Sequence, residues 1–308
     1  MSAVEIGAWG VPLAVLGGAV RVSTPFLFVS LGECITEKAG RINLGLEGTL
    51  VFGAMAGYAT AFEVNSAWAG LLAAALAGAI FGLLHGLICS LPRVNDIAVG
   101  IALMLFGTGL AFFAGKTYIQ PKAPSLPALA LGAWSGVAQI EAALTINVLF
   151  PIGILLAMVL GWMLKTTRIG LTLRMVGDSA EAARAMGINV TAVRIGATVF
   201  GGVLAGIGGA YLSLYYPGSW NEGLSSGQGL MAVALVIFAR WNPIACFGAA
   251  MLFGGAGALA PALQSIGITQ GYYLSYAAPY VLTLAILILT SSSRRALVGA
   301  PGELSINR

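Results

Sequence analysis

Several long stretches of this chain contain no Asp, Glu, Lys or Arg, and the longest runs from Trp241 to Ser293. Crossing a bilayer takes about 20 apolar residues. Each stretch is therefore long enough to cross once, or nearly so, and the last could cross twice. The stretches are 64–92, 97–115, 142–164, 195–221, 223–239 and 241–293.

The overall composition excludes most other classes of protein. Charged residues make up 8% of the chain and hydrophobic residues 58%, whereas a soluble domain contains about 25% charged residues. This excludes a soluble enzyme and a disordered chain, and three scattered cysteines exclude a disulfide scaffold. The stretches are apolar on all sides and lack the alternation of an outer-membrane barrel.

The sequence therefore predicts an all-α, polytopic membrane helical bundle, with residues 1–308 forming a single transmembrane domain. Two further apolar segments, 9–31 and 43–62, bring the prediction to about nine membrane segments. Pro261 divides the last stretch into two. Segment 223–239 is short enough to be re-entrant or broken.

The distribution of basic residues predicts the orientation. Counting back from a cytoplasmic C-terminus through nine crossings places almost all Lys and Arg on the inside, as the positive-inside rule requires. The net charge of +4 is thus a topology signal in a multi-pass inner (plasma) membrane protein, and it does not indicate nucleic-acid binding. The predicted inside residues are Lys38, Arg41, Arg93, Lys165, Arg168, Arg174, Arg184, Arg194, Arg240, Arg294, Arg295 and Arg308, and the outside ones are Lys116 and Lys122.

The longest basic cytoplasmic loop, 165–194, contains a predicted surface helix. Helix-forming residues run from Ser179 to Met186, with Ser179 or Asp178 as the N-cap and Gly187 as the C-terminal stop. This helix resembles the EAA loop of ABC-transporter permeases, which docks in a groove of the ATPase subunit. The resemblance makes 165–194 a coupling loop. Its ATPase-coupling residues would be Arg174, Asp178, Glu181, Ala182, Ala183 and Gly187.

A second, more specific motif lies near the N-terminus. Residues 33–48 read ECITEKAGRINLGLEG, and residues 240–243 read RWNP. Both resemble signatures of the branched-chain amino acid/ribose permease superfamily, most closely its nucleoside and simple-sugar branch, whose receptors are basic-membrane-protein lipoproteins. Lys38 replaces the usual arginine and Ala239 the usual glycine of these signatures.

Several polar residues in apolar surroundings are candidates for the translocation path. Glycines in the first motif permit a non-helical backbone and close helix approach. Glu47 either lines the path or ties segment ends together, with Arg21 or Arg41 as its partner. Trp220 either stacks on a nucleobase or lies in the interfacial aromatic belt. The candidates for the path and the substrate site are Asn43, Glu47, Asn95, Trp220, Asn221 and Gln228.

Together these features predict one permease subunit of an ATP-driven ABC importer that moves a neutral polar solute, first of all a nucleoside, by alternating access. Ribose, another simple sugar or riboflavin are alternatives, and an ion-coupled secondary transporter is the rival class. The chain is expected to be no enzyme and to bind no cofactor or metal, with ATP and Mg²⁺ on a partner ATPase. The other expected partners are a second, non-identical permease subunit, an extracytoplasmic substrate-binding lipoprotein, the solute and the lipid bilayer.

Overall fold

A computed structural model of the chain describes residues 10–119, 121–265, 277–290 and 299–306. Almost all regular structure in these residues is helical. The helices are α1 Gly10–Lys38, α2 Leu46–Val64, α3 Ala67–Ile88, α4 Asp96–Gly115, α5 Ala138–Ala143, α6 Leu149–Thr166, α7 Arg168–Asp178, α8 Ala180–Ala185, α9 Val190–Leu214, α10 Gln228–Phe238, α11 Pro243–Ser265, α12 Ala278–Thr290 and α13 Gly302–Ile306. A 3₁₀ turn covers Lys116–Tyr118, and strands β1 Ala128–Ala130 and β2 Thr145–Asn147 pair as an antiparallel hairpin.

The all-α membrane bundle is confirmed, but the count of crossing helices differs from the nine predicted. Six helices within the described ranges are long and apolar enough to span a bilayer: α1, α3, α4, α6, α9 and α11. Helix α2 has 19 residues but carries Glu47 and Glu63, which lower its hydropathy. Helix α10 has 11 residues, too few to cross alone. Helix α12 has 13 residues and ends at the limit of a described range.

Glycine lets the central helices of the bundle approach each other closely. Helix α3 packs along α9, and a Cβ built on Gly78 would lie 2.0 Å from the carbonyl oxygen of Gly202. Lipid tails are as apolar as leucine, so helices associate in a membrane through close packing rather than through hydrophobicity. The opposite face of α3 exposes leucine and isoleucine side chains where lipid would lie: Leu72, Leu76, Ile80, Leu83 and Leu87.

The predicted short segment 223–239 is a half-length helix preceded by an irregular chain. Residues 215–227 contain no helix, and α10 then runs for 11 residues. At 1.5 Å per residue α10 covers about half of a hydrocarbon core of roughly 30 Å. Gly229 in its first turn is buried, so the N–H groups that begin this helix need protein partners.

One end of the bundle gathers the charged residues that the sequence places between segments. Helices α1 and α6 end there and α4, α9 and α11 begin there, so Lys38, Arg41, Lys165 and Arg194 lie together. We call it the basic end. The far end holds the α2–α3 turn and the connection from Lys116 to Val148 that contains the β hairpin.

Candidate functional site

The first motif covers the end of α1, the tight loop 39–45 at the basic end and the start of α2. The backbone N–H of Asn43 donates to Glu33 Oε1 at 2.8 Å, and the Asn43 side-chain oxygen accepts from the N–H of Gly45 at 2.9 Å. Asn43 is 1% exposed, so its side chain organises the loop and does not reach a cavity. The structure adds Glu33, which sequence reasoning did not select although it opens the quoted motif.

Glu47 caps the half-length helix α10 from the first turn of α2. Its Oε1 accepts from the Ser225 hydroxyl at 2.6 Å and from the Gly227 N–H at 3.1 Å, and its Oε2 accepts from the Gly229 N–H at 2.6 Å. The carboxylate thus satisfies N–H groups that begin a helix inside the bundle. Glu47 is 8% exposed.

The expected arginine partners of Glu47 are engaged elsewhere. Arg41 pairs with Asp96 at the start of α4, and Arg21 donates to the carbonyl of Ala142. Glu47 therefore ties segment ends together through the α10 backbone, with neither arginine as its partner.

A cavity of about 720 Å³ opens at the basic end between the α1–α2 loop, the start of α4, α10 and the C-terminal segment. Its volume falls in the usual range for sites of small molecules. Asn95 lies on its wall and caps α4, accepting from the N–H groups of Ile97 and Ala98. The polar lining residues are Glu37, Arg41, Arg93, Asn95 and Asp96, and the apolar ones include Leu44, Val233, Ile237, Trp241 and Leu304.

The walls of this cavity are held by charged and aromatic contacts. The Arg41–Asp96 ion pair links the α1–α2 loop to α4, and the Trp241 indole N–H donates to Glu37. The thiol of Cys89 lies behind the wall. Burial, and then the nearby Asp96 carboxylate, raise the pKa of Cys89 to about 12, so this thiol stays protonated at neutral pH and is a packing group.

The predicted surface helix of the 165–194 loop is present as α8. The Ser179 side chain accepts from the Ala182 N–H as the N-cap. At the other end the N–H of Gly187 donates to the Arg184 carbonyl and the N–H of Ile188 to the Ala183 carbonyl. This is the Schellman pattern, and Gly187 has the positive φ of 80° that it requires. The preceding helix α7 was not predicted.

Most, but not all, of the ATPase-coupling residues that the resemblance implies are exposed on α7 and α8. Glu181, Ala182 and Gly187 are exposed, and so are Arg174 and Asp178 on α7. Ala183, in contrast, is 0% exposed, because it packs inward on Val176 and Val190. Met186 is 70% exposed, and sequence reasoning missed it because an apolar residue at a helix end carries no signal of its own.

The remaining candidates do not converge on the cavity. Trp220 is 1% exposed and packs against Gly115 at the end of α4, which is inside the bundle and not on its surface. Asn221 is exposed and accepts from the Gly223 N–H. Gln228 begins α10, and its side-chain oxygen is buried with no hydrogen-bond partner among the described residues. Of the six path candidates, Asn95 alone is among the described residues that line the cavity.

The described residues combine long apolar helices, a half-length helix capped by Glu47 and a helical surface loop at one end. These are features of a polytopic membrane protein. The chain matches the family model described as branched-chain amino acid transport system / permease component over residues 15–291, and it belongs to that family. It is a multi-pass membrane protein of the ABC permease type, as the two sequence motifs predict.

Several relatives match most of the chain, and three of them are at least 30% identical to it. It is 32% identical to the putative glucose ABC transporter permease protein TsgC13 of Haloferax volcanii over 82% of this chain and 78% of that protein. It is 32% identical to the nucleoside ABC transporter permease protein NupC of Lactococcus lactis, over 87% and 89%. It is 30% identical to the guanosine ABC transporter permease protein NupQ of Bacillus subtilis, over 89% and 90%. No solved structure matches the chain significantly.

Proposed function

We propose that this chain is the membrane permease subunit of an ATP-driven ABC importer for nucleosides. The observation that carries the proposal is the similarity, over nearly nine tenths of the chain, to proteins named as nucleoside and guanosine ABC transporter permeases. In this arrangement the basic end faces the cytoplasm, in keeping with the positive-inside rule. The inner membrane is then crossed with the C-terminus inside.

The cavity at the basic end is the proposed exit chamber for the solute. The Asn95 side-chain NH₂ group, whose neighbouring oxygen already caps α4, can donate to hydroxyl oxygens and base edges without a fixed charge, and Leu44, Val233 and Ile237 supply apolar surface. The ionisable lining residues are two acidic and two basic, of which Arg41 and Asp96 pair with each other, so the lining has no large excess of one charge and suits a neutral polar solute. Selectivity is left to a separate extracytoplasmic lipoprotein that delivers the nucleoside to the far end.

ATP hydrolysis acts on this chain through helices α7 and α8, which we call the α7–α8 hairpin. This hairpin docks on a separate ATPase subunit that carries ATP and Mg²⁺. Met186 and Ile169 expose apolar side chains here, at 70% and 66%, beside Arg168 and Arg184. An apolar anchor within a basic rim fits a protein groove with acidic edges. ATP closure then moves α8 and opens the path between this chain and a second, non-identical permease subunit.

A simple sugar is the second candidate solute. The relative from Haloferax volcanii, 32% identical, is named as a putative glucose ABC transporter permease. Sugars and nucleosides share ribose-like hydroxyl groups, which Asn95 recognises equally well. The base is what distinguishes them.

The solute class can be tested by uptake in the cells that produce this protein, with and without the gene. We expect loss of the chain to abolish saturable uptake of labelled guanosine or uridine, with glucose and ribose failing to compete in wild-type cells. Competition by a sugar at equal concentration would favour the second candidate. Vigorous nucleoside uptake into liposomes containing this chain alone would contradict the ABC assignment and favour an ion-coupled carrier.

Substitution of Gly187 by leucine should release the ATPase while leaving the membrane bundle intact. A side chain at φ 80° costs about 1–2 kcal/mol, so the Schellman turn opens and the end of α8 with Met186 is displaced. The measurement is copurification of the ATPase with the tagged chain, expected to fall about tenfold for a loss of roughly 1.4 kcal/mol. Gly196→Leu is the matched control, since a side chain there meets open space. Unchanged copurification of the ATPase with the Gly187 variant would refute the assignment of α8.

A further inference from the structure

The short helix α13 holds together elements of the basic end that are far apart in sequence. The Oε1 of Glu303 accepts from the N–H of Ala180, the first residue of α8, at 2.8 Å. Its Oε2 accepts from the Arg194 guanidinium on α9 at 3.0 Å. One carboxylate therefore joins the surface helix to a membrane-spanning helix.

The residues around Glu303 attach the same segment to α1. The Lys38 ammonium donates to the carbonyl of Gly299 at 3.0 Å, and Arg194 also donates to the carbonyl of Ala39 at 3.1 Å. The packing is close: a Cβ built on Gly302 would lie 2.4 Å from the carbonyl oxygen of Asp178 at the end of α7.

The other face of this segment forms part of the cavity wall. Ala300 and Leu304 line the 720 Å³ cavity together with Asn95 and Ile97 at the start of α4. Within the described part of the chain, residues 299–306 thus contact the α7–α8 hairpin on one side and border the proposed exit chamber on the other.

We propose that residues 299–306 form a coupling strap, in which Glu303 is a positioning residue that links movement of α8 to the wall of the cavity. The proposal rests on the proposed function. Because Glu303 holds the start of α8, a displacement of α8 pulls α13 with it, and Ala300 and Leu304 move relative to α4. The cavity then changes shape when the ATPase moves the α7–α8 hairpin.

The strap predicts that Glu303→Gln uncouples ATP hydrolysis from transport in the reconstituted complex. The glutamine can still accept from Ala180, but its amide group cannot form the ion pair with Arg194. Coupling between two sites typically amounts to a 5–150-fold effect, so we expect solute imported per ATP hydrolysed to fall about fivefold or more. ATPase recruitment and hydrolysis should stay near the wild-type level, whereas a purely structural role would lower the amount of complex and both activities together.

Three further variants make this experiment specific to the strap. Arg194→Gln should reproduce the uncoupling, and the double variant should be no worse than either single variant, because both remove the same interaction. Glu141→Gln, which changes an exposed carboxylate in α5, is the control and should transport normally. A wild-type ratio of solute to ATP in the Glu303 variant would overturn the strap, while absence of nucleoside transport by the wild-type complex would overturn the proposed function instead.

The wild-type complex supplies a second measurement in case the variant does not assemble. Hydrogen–deuterium exchange of residues 300–304 should differ between the ATP-free complex and the complex trapped with ATP and vanadate. The same exchange in both states would overturn the strap, whatever the behaviour of the variant.

Discussion

Replacing Glu47 with alanine should destabilise the bundle more than any other single change to a charged residue at the start of a helix. The variant leaves the Ser225 hydroxyl and the N–H groups of Gly227 and Gly229 without their acceptor. Each buried donor left unsatisfied costs about 1–3 kcal/mol, and two of the three donors, on Ser225 and Gly229, are buried. We expect a loss of at least about 2 kcal/mol, measured as a lower midpoint of thermal unfolding in detergent and as loss of solute uptake.

Two variants test the reason for this effect. Ser225→Ala removes one of the three donors and should cost less than half as much. Glu63→Gln lies on the same helix but at the exposed far end, where its partner is the Tyr118 hydroxyl, and it should unfold like the wild type. If Glu47→Ala unfolds like the Glu63 control, the capping of α10 by Glu47 is not a source of stability.

Substituting Gly78 by alanine should separate α3 from α9. The added methyl carbon would lie 2.0 Å from the carbonyl oxygen of Gly202, whereas a normal carbon–oxygen contact is about 3.3 Å. The obstacle is backbone and not a flexible side chain, so the two helices must move apart by about 1 Å or more. Overpacking of this kind costs typically about 1–3 kcal/mol and occasionally more, and we expect the upper part of that range, because α3 and α9 make one of the closest helix pairs of the bundle.

The matched control is Gly109→Ala on α4, where an added Cβ meets no atom within 4 Å. Both variants add one methyl group to a helical glycine, so any difference comes from the neighbour and not from helix propensity. The readout is the fraction of monodisperse protein after solubilisation, followed by the midpoint of thermal unfolding. Equal values for the two variants would refute close packing between α3 and α9 as the basis of the fold.

Local sequence patterns predicted those features whose physics is local. The apolar stretches identify the membrane segments, because transfer into the bilayer is nearly a sum over residues. The limits of α8 follow from Ser179 and Gly187, because capping involves groups within one turn. The half-length character of α10 follows from the shortness of the apolar stretch 223–239. The two motifs led to the family over most of the chain.

The sequence did not predict which side chains are exposed, because exposure depends on which side of a helix faces a neighbour. Ala183 is as small as Ala182, yet α8 turns it inward. Trp220 has the character of an interfacial residue, yet it packs inside against Gly115. Within the described residues, fewer helices span a bilayer than the nine segments predicted, because an apolar segment can also be a half-length helix such as α10 or, like α2, carry charges that lower its hydropathy.

By itself the sequence determined that this is a helical membrane protein, where its long apolar segments lie, and that the basic residues gather at one end. Only the tertiary structure decided that Glu47 caps α10, that Glu303 holds α8 and that the cavity opens beside Asn95. The physical reason is that a bilayer selects residues one by one by their solvation, whereas the partner of a buried carboxylate is set by helix packing. In lipid that packing depends on small residues, which let two helix backbones approach closely. The two helices are far apart in the sequence, so no local pattern indicates which of them will meet.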